Sequence, residues 1–394
     1  MNHTLIISTR NRPQWIEYSL NFYKHFNYKG EIYITDDSDE VNFEKNFQII
    51  ENFKNFLKIY HEQGKGHKLE KRHKRFILTK YEALKKITTD FYTHISDDDF
   101  LYPDFLINAS NFLEKNKDYS AVNGVGIIVY LNSNFEIEKQ KNLRWPSNEE
   151  HDPIDRLMKY CEPEYATQPM MAVCRTLSLK SLFTVEKILN NKTFTRTNTE
   201  GLELVDEEIT WASQILISGK LKSLPEVSQF VIKTSPNVNL KHNDRVENYK
   251  FSADEKFKVF KLGSIENILN NTMTPALKES KLELIKLVSE HGSKYSDEII
   301  DDQISYFLWK IISASDGSVN FDKSDFFKKY KLEKELRNKI YFNFKIINIF
   351  KITNLAIKLK KFIIRKRLNL KINKFHNIFA EFHKLTKINL KKYF

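Results

Sequence analysis

The chain has 394 residues, of which 41% are hydrophobic and 13% aromatic, a composition that is sufficient for a large buried core and excludes an intrinsically disordered protein. Its start lacks the pattern of a signal peptide, and lysines interrupt every apolar stretch before it reaches membrane-spanning length. Only two cysteines are present, without metal-ligand spacing. These features predict a cytoplasmic protein that works in a reducing compartment.

The net charge of +12 is unevenly distributed along the chain. Residues 337–394 hold 16 lysines or arginines and a single acid, Glu381, so this basic tail carries a local charge of +15. The rest of the chain is close to neutral. The tail is therefore electrostatically distinct from the rest of the chain.

Strand and helix patterns alternate in the first hundred residues. "HTLIIST" is typical of a buried strand, "PQWIEYSLNFYKHF" of a helix that begins at Pro13, and "EIYITDDSD" of a second strand that ends in acids. A further helix, a short strand and another helix precede "DFYTHIS", a strand that runs into Asp97, Asp98 and Asp99. Strands that alternate with helices predict a mostly parallel sheet with its ligands beyond the carboxyl ends of the strands.

The second half of the chain mixes strand and helix patterns. "YSAVNGVGIIVYLN" and "MMAVCRTLSL" favour strands, whereas "LVDEEITWASQILISGK" is typical of an amphipathic helix with an acidic first turn. Residues 251–336 have mainly helical patterns, and the basic tail follows them. We expect an α/β domain over residues 1–250, a helical region over 251–336 and an amphipathic helical tail over 337–394.

The order of the motifs resembles the GT-A nucleotide-diphosphosugar glycosyltransferases, particularly those of family 2. "STRNRP", "ITDDSD", "THISDDDFLYP" and "DEEITWASQILISGK" follow one another at the spacing of that family, over about residues 4–230. The resemblance implies a GT-A fold, which is a Rossmann-like mixed sheet flanked by helices. It implies transfer of a sugar from a nucleotide donor to a glycan or lipid-linked glycan acceptor at the bacterial surface, with inversion of the anomeric centre.

Carried over by position, the resemblance implies the residues that contact the donor. "STRNRP" matches the turn that lines the nucleotide site, and Asp36 and Asp37 match acids that contact the nucleoside. The second nucleotide turn departs from the family pattern, because a longer and more basic segment replaces it. The implied nucleotide-sugar contacts are Thr9, Arg10, Arg12, Asp36, Asp37, Lys65, Lys80 and Asp97.

Three consecutive carboxylates after a strand repel one another unless a positive group lies among them, and a bound metal ion is such a group. The resemblance matches this stretch to the Asp-x-Asp metal signature, with Mn²⁺ or Mg²⁺ as the cofactor. The first acid of the family signature corresponds to Ser96 in this chain. The metal ligands are therefore expected to be either Asp97 with Asp99 or Asp98 alone. His242 is the candidate for a third ligand. A solvated acidic turn without metal is the alternative.

The resemblance places the catalytic base at the start of the later helix. Counting back from Gly219 sets Glu207 and Glu208 on the acidic pair of the family, with Glu208 as the first choice and Asp206 as the second. Such a carboxylate would take the proton of the acceptor hydroxyl. Acids in a first helical turn are also favoured by the helix dipole without any catalytic role.

The basic tail alternates apolar and basic residues at a spacing compatible with an amphipathic helix. Such a helix lies at an anionic membrane surface, which would make the enzyme peripheral at the inner face of the cytoplasmic membrane. Packing on the catalytic domain, or oligomerisation, is the alternative. The tail has no base-reading motif, which argues against nucleic acid as a partner.

Two other functions remain open from the sequence. A sugar-1-phosphate nucleotidyltransferase shares the sheet and the metal chemistry, but it normally begins with a glycine-rich phosphate loop that "IISTRNRPQW" lacks. A non-catalytic basic protein that binds membranes or nucleic acid would carry the acids as surface residues only.

Overall fold

The computed structural model describes residues 1–64, 83–160, 171–180, 212–234, 275–314, 372 and 374–386. Within these residues a nine-stranded sheet is flanked by helices on both faces. The strands are β1 (His3–Thr9), β2 (Glu31–Asp36), β3 (Lys58–Gln63), β4 (Phe91–Ser96), β5 (Asp99–Leu101), β6 (Tyr119–Leu131), β7 (Ile137–Leu143), β8 (Val173–Arg175) and β9 (Lys220–Thr234). This confirms the prediction of a Rossmann-like mixed sheet flanked by helices.

The sheet has the strand order β3-β2-β1-β4-β8-β6-β9-β5, and β7 pairs with β6 outside this path. Strands β3, β2, β1 and β4 are parallel neighbours, whereas β8 pairs antiparallel with both β4 and β6. Because β1, β2 and β4 run in register, their carboxyl ends lie side by side at one edge of the sheet. Both acidic clusters of the sequence therefore meet at this edge.

The helices that we label are α1 (Pro13–His25), α2 (Glu40–Glu51), α3 (Pro103–Lys115), α4 (Pro153–Tyr160), α5 (Leu177–Lys180), α6 (Pro275–Glu290) and α7 (Asp297–Ala314). Residues 212–218 and 374–386 are also helical. Helix α1 begins at Pro13, as the sequence predicts, because proline has no N–H to leave unsatisfied at a first helical position. None of the described helices has the length and apolar character that a bilayer crossing requires.

The two faces of the sheet bury two separate cores, because successive side chains of a strand point to opposite faces. Leu5 and Ile7 of β1 pack with α1, α2 and α3, whereas Ile6 packs with α4, α6 and α7 on the other face. The strand "HTLIIST" is thus buried along nearly its whole length, including its polar residues, because helices cover both faces.

The described part of the basic tail belongs to the first core. Residues 374–386, which we call the C-terminal segment, bury Phe379 and Phe382 against aromatic side chains of α1, β5 and β9. The ring centroids of Phe379 and Phe230 are 4.5 Å apart. His383 adds a polar contact, since its Nδ1 accepts a hydrogen bond of 2.7 Å from Tyr18 and its Nε2 donates to the carbonyl of Phe135.

The C-terminal segment matches the predicted alternative in which the tail packs on the catalytic domain. Except for Ile372, residues 337–373 lie outside the described residues, as do Lys65, Lys80 and His242. A membrane-facing role for the basic part of the tail stays a prediction.

We expect Phe379→Ala to lower the free energy of unfolding by about 3–5 kcal/mol, because it removes a fully buried ring from the first core. Leu385→Ala on the same helix is the control: its side chain is 69% exposed, so the change should stay within about 0.5 kcal/mol. Urea denaturation of both variants measures the difference. Equal unfolding midpoints would show that the C-terminal segment does not belong to the core.

Candidate functional site

The turns that follow β1 and β2 are joined to each other. Asn11 has a left-handed backbone with φ of 52°, a conformation that asparagine tolerates better than most residues. Its N–H donates a hydrogen bond of 2.7 Å to Ser38 Oγ, and its side-chain oxygen accepts one of 2.9 Å from the N–H of Asp39. Asp39 in turn caps the N-terminus of α2. The two turns therefore form one platform at the carboxyl edge of the sheet.

Asp36 is the buried anchor of this platform. One of its carboxylate oxygens accepts a hydrogen bond from the N–H of Ser38 at 2.9 Å, and the other accepts from Asn46 at 2.7 Å and from His61 at 3.0 Å. The imidazole of His61 also stacks on Phe43, with ring centroids 4.7 Å apart. Both oxygens of Asp36 are thus engaged within the protein, which compensates the burial of its charge.

Asp37, the second acid of this motif, lies at the surface of the platform. Its side chain is half-buried, and its N–H donates a hydrogen bond of 3.0 Å to the carbonyl of Thr9. Of the two acids predicted to contact a nucleoside, Asp37 is therefore the less buried, whereas Asp36 holds the turn in shape.

Arg12 lies between the first two acids of the triple. Its Nη1 is 2.9 Å from Asp97 Oδ1 and its Nη2 is 2.6 Å from Asp98 Oδ2. Thr9 Oγ1 donates a hydrogen bond of 2.6 Å to the other oxygen of Asp97. A cation does lie among the carboxylates, and in this structure it is a guanidinium.

Asp97 is almost completely buried, with 1% of its side chain exposed. Its Oδ1 accepts no hydrogen bond of good geometry, so the approach of Arg12 to that oxygen is a close ionic contact. Burial raises the pKa of Asp97 to about 7; Arg12 opposes this shift, and the neighbouring Asp98 adds to it. For Arg12 itself, burial acts to lower the pKa, but the carboxylates outweigh that effect and raise the pKa above its ordinary value.

Asp99 has a different environment from its two neighbours. It begins β5, which pairs antiparallel with β9, and its Oδ1 accepts a hydrogen bond of 3.3 Å from the N–H of Ile232. Burial raises its pKa well above the ordinary value, and the charge of Asp98 acts in the same direction. The structure thus pairs Asp97 with Asp98 through Arg12, and it directs Asp99 to β9.

The donor set suits a divalent cation that a diphosphate completes. Mg²⁺ and Mn²⁺ favour carboxylate oxygens and are commonly held by one or two protein carboxylates plus substrate phosphates. Asp97 and Asp98 supply such oxygens, and Asp97 Oδ1 is buried without a hydrogen bond. Within the described parts of the chain, no three His, Cys, Asp or Glu side chains converge as a complete metal-binding group. Among the described residues the pair has no third protein ligand, and substrate phosphate oxygens are suited to complete the coordination.

The platform, Arg12 and the two acids bring together several of the predicted site residues, namely Thr9, Arg12, Asp36, Asp37, Asp97 and Asp98. Arg10 is half-buried in the same turn. The predicted base residues Asp206, Glu207 and Glu208 lie outside the described residues. The sequence patterns did not predict that Asn11, Ser38, Asn46 and His61 would build the platform. Their only signal in the sequence is that they are polar residues near the acids at strand ends.

Comparisons with known proteins give structural similarity only. No protein-family model and no curated protein sequence matches the chain. The chain is similar to TarS from S. aureus, with 16% identity over 82% of this chain and 46% of that chain and a TM-score of 0.44. A structure of TarS residues 1–349 in complex with UDP-GlcNAc matches over 80% of this chain and 75% of that one, with a TM-score of 0.41.

A mannosyltransferase, PcManGT from Pyrobaculum calidifontis, in complex with GDP-Man and Mn²⁺, is similar at 12% identity. The match covers 81% of this chain and 76% of that one, with a TM-score of 0.34. Similarity at this level does not fix an activity.

We expect Asp97→Asn to stabilise the protein at neutral pH in EDTA. The unfolded chain releases this proton near pH 3.8 and the folded protein near pH 7, so the folded state binds more protons between these values and its stability falls as pH rises through this window. Relative to wild type, the variant should gain up to about 4 kcal/mol between pH 4 and pH 7.5.

Urea denaturation of the variant and of wild type at both pH values measures this gain. Asp118→Asn is the control, because an exposed hydrogen bond from Lys220 lowers the pKa of Asp118 and predicts a change of opposite sign. A stability difference for Asp97→Asn that does not depend on pH would contradict the assignment.

Proposed function

We propose that the protein is a glycosyltransferase that moves a sugar from a nucleoside-diphosphate donor to a hydroxyl group of a glycan acceptor with the help of a divalent cation. The observation that carries this proposal is the carboxylate pair Asp97 and Asp98 beside Arg12, at the carboxyl edge of parallel strands. Ligands of open α/β sheets bind at this edge. The side chains there suit a donor that contains both a polar base and a diphosphate.

The leaving group of this reaction is a nucleoside diphosphate, on which negative charge develops as the glycosidic bond breaks. A divalent cation held by Asp97 and Asp98 would neutralise part of that charge. Arg12 and Arg10 lie in the turn after β1, where guanidinium groups are suited to bind phosphate oxygens. By the family resemblance, Asp37 would accept hydrogen bonds from the nucleoside, and its half-buried position on the platform is compatible with this role.

The acceptor hydroxyl must lose a proton during the transfer. We assign this step to Glu208, with Glu207 and Asp206 as alternatives, on the basis of the family resemblance. Residues 212–218 form a helix on the second core, directly after this acidic stretch in the sequence. Inversion of the anomeric centre, a surface glycan or lipid-linked glycan acceptor and Mn²⁺ or Mg²⁺ as the ion also follow from the resemblance.

Calorimetry with UDP, GDP and their sugar conjugates tests the proposal. At least one of these ligands should bind about tenfold more tightly in Mn²⁺ than in EDTA, which corresponds to about 1.4 kcal/mol. Asp97→Asn combined with Asp98→Asn should remove this difference, because it removes both anionic ligands of the ion. Asp118→Asn, which changes an exposed acid elsewhere on the surface, should retain it.

Equal affinities in Mn²⁺ and EDTA would exclude a metal-bound donor. Absence of binding by every nucleotide and nucleotide sugar would exclude the proposed function as a whole.

Glu208→Gln keeps the size of the side chain and removes its basicity. Donor affinity should stay near wild type, while transfer to an acceptor glycan falls about 10²- to 10⁴-fold. Glu207→Gln and Asp206→Asn test the two alternative bases in the same way, and melting temperatures are measured for all three variants. An acid that only caps the helix should lower stability by about 0.3–1 kcal/mol with turnover preserved. If all three variants retain normal turnover, the base lies elsewhere.

A further inference from the structure

Arg12 makes its contacts with the same carboxylates that a cation would use. Its guanidinium contacts Asp97 Oδ1 and Asp98 Oδ2, at 2.9 Å and 2.6 Å. One of these oxygens is buried and has no hydrogen bond of good geometry, and its ionic contact is with Arg12. A divalent cation at these oxygens would be repelled by the guanidinium, because two positive charges at such short range oppose each other.

The surroundings hold the carboxylate of Asp97 in place more firmly than they hold the guanidinium. Asp97 is fixed through its other oxygen by Thr9, at 2.6 Å. Arg12 is half-buried, and its guanidinium carbon lies 5.4 Å from the centre of the Trp15 ring, whose face is attractive to a cation without neutralising it. A long, flexible side chain on a partly exposed turn can change its partner while the buried acid stays where it is.

We propose that Arg12 is an exchangeable counter-ion of the Asp97–Asp98 pair. In the free protein it neutralises the pair, and when the donor binds it moves to the diphosphate and leaves the carboxylates to the divalent cation. This inference rests on the proposed function, because it assigns Arg12 a role in how that site takes up its metal and donor. The net charge of the site changes little in the exchange, because the two negative charges of a nucleoside-diphosphate sugar offset the two positive charges of the incoming cation.

The exchange makes metal and nucleotide uptake interdependent. Without a nucleotide, a cation must compete with an ion-paired guanidinium, so Mn²⁺ alone binds weakly. With a diphosphate present, Arg12 has a new anionic partner and the carboxylates become available. Coupling of this kind is reciprocal: the nucleotide strengthens Mn²⁺ binding by the same factor by which Mn²⁺ strengthens nucleotide binding.

Titration with Mn²⁺ in the absence of nucleotide, followed by the electron paramagnetic resonance signal of free Mn²⁺, tests the exchange without any activity measurement. Arg12→Met keeps a long apolar side chain and removes the charge, so it should bind Mn²⁺ at least about tenfold more tightly than wild type, a typical size for coupling between two ligands. Adding Asp98→Asn to Arg12→Met should abolish the gain in Mn²⁺ affinity. This result would show that the additional Mn²⁺ binding occurs at the Asp97–Asp98 pair.

Lys58→Met is the matched control, because Lys58 is ion-paired with Glu31 at the opposite end of β2. It should leave the affinity for Mn²⁺ unchanged. Melting temperatures verify folding. If Arg12→Met does not fold, Arg12→Lys takes its place; it retains one charge but loses the two-pronged contact, and it should give a smaller gain in the same direction.

Equal Mn²⁺ affinity in wild type and in a folded Arg12 variant would overturn the exchange, as would a gain that persists with Asp98→Asn. These outcomes are separate from the fate of the proposed function. A gain in Mn²⁺ affinity in a protein that binds no nucleotide sugar would support Arg12 as the counter-ion that competes with the cation, but it would reject the glycosyltransferase and the move to a diphosphate. Metal-dependent donor binding without the gain would support the proposed function and overturn the exchange.

Discussion

Compensation of the charges at Asp97 and Asp98 is the constraint on which the candidate site depends. Two adjacent carboxylates, one of them buried, cannot remain ionised together without a nearby positive group. Arg12 supplies that group, so the turn after β1 must hold it at the carboxyl end of β4. The left-handed backbone of Asn11 and its hydrogen bonds to the neighbouring turn fix the path of the chain just before Arg12.

The aromatic core on the first face of the sheet packs against the segments that carry Arg12 and the acids. Phe100 follows Asp99 directly and packs against Tyr18 and Phe22 of α1, the helix that begins beside Arg12. Phe379 of the C-terminal segment completes the same cluster, although it lies far away in sequence. The segment after the acids, the helix beside Arg12 and the C-terminal segment thus pack together through one cluster of aromatic rings. Because protein cores are closely packed, replacing one of these rings disturbs the packing of the others.

Buried acids with raised pKa values oppose folding at neutral pH, and their retention is typical of functional sites. Asp36 is also buried, and donors from three residues engage both of its oxygens. The difference separates an acid that maintains the shape of a turn from acids that remain able to accept an external ligand. Burial alone does not distinguish these two kinds of acid, whereas the number of protein hydrogen bonds that each carboxylate accepts does.

The sequence by itself determined the alternation of strands and helices, the start of α1 at Pro13 and the position of both acidic clusters at strand ends. These are local properties, because hydrophobic periodicity and the missing N–H of proline act over a few residues. Only the tertiary structure decided that Arg12 bridges Asp97 and Asp98, that Asp99 turns to β9, and that residues 374–386 enter the core. Those outcomes depend on contacts between segments that are far apart in sequence, and a single sequence contains no local signal for which distant side chains will meet.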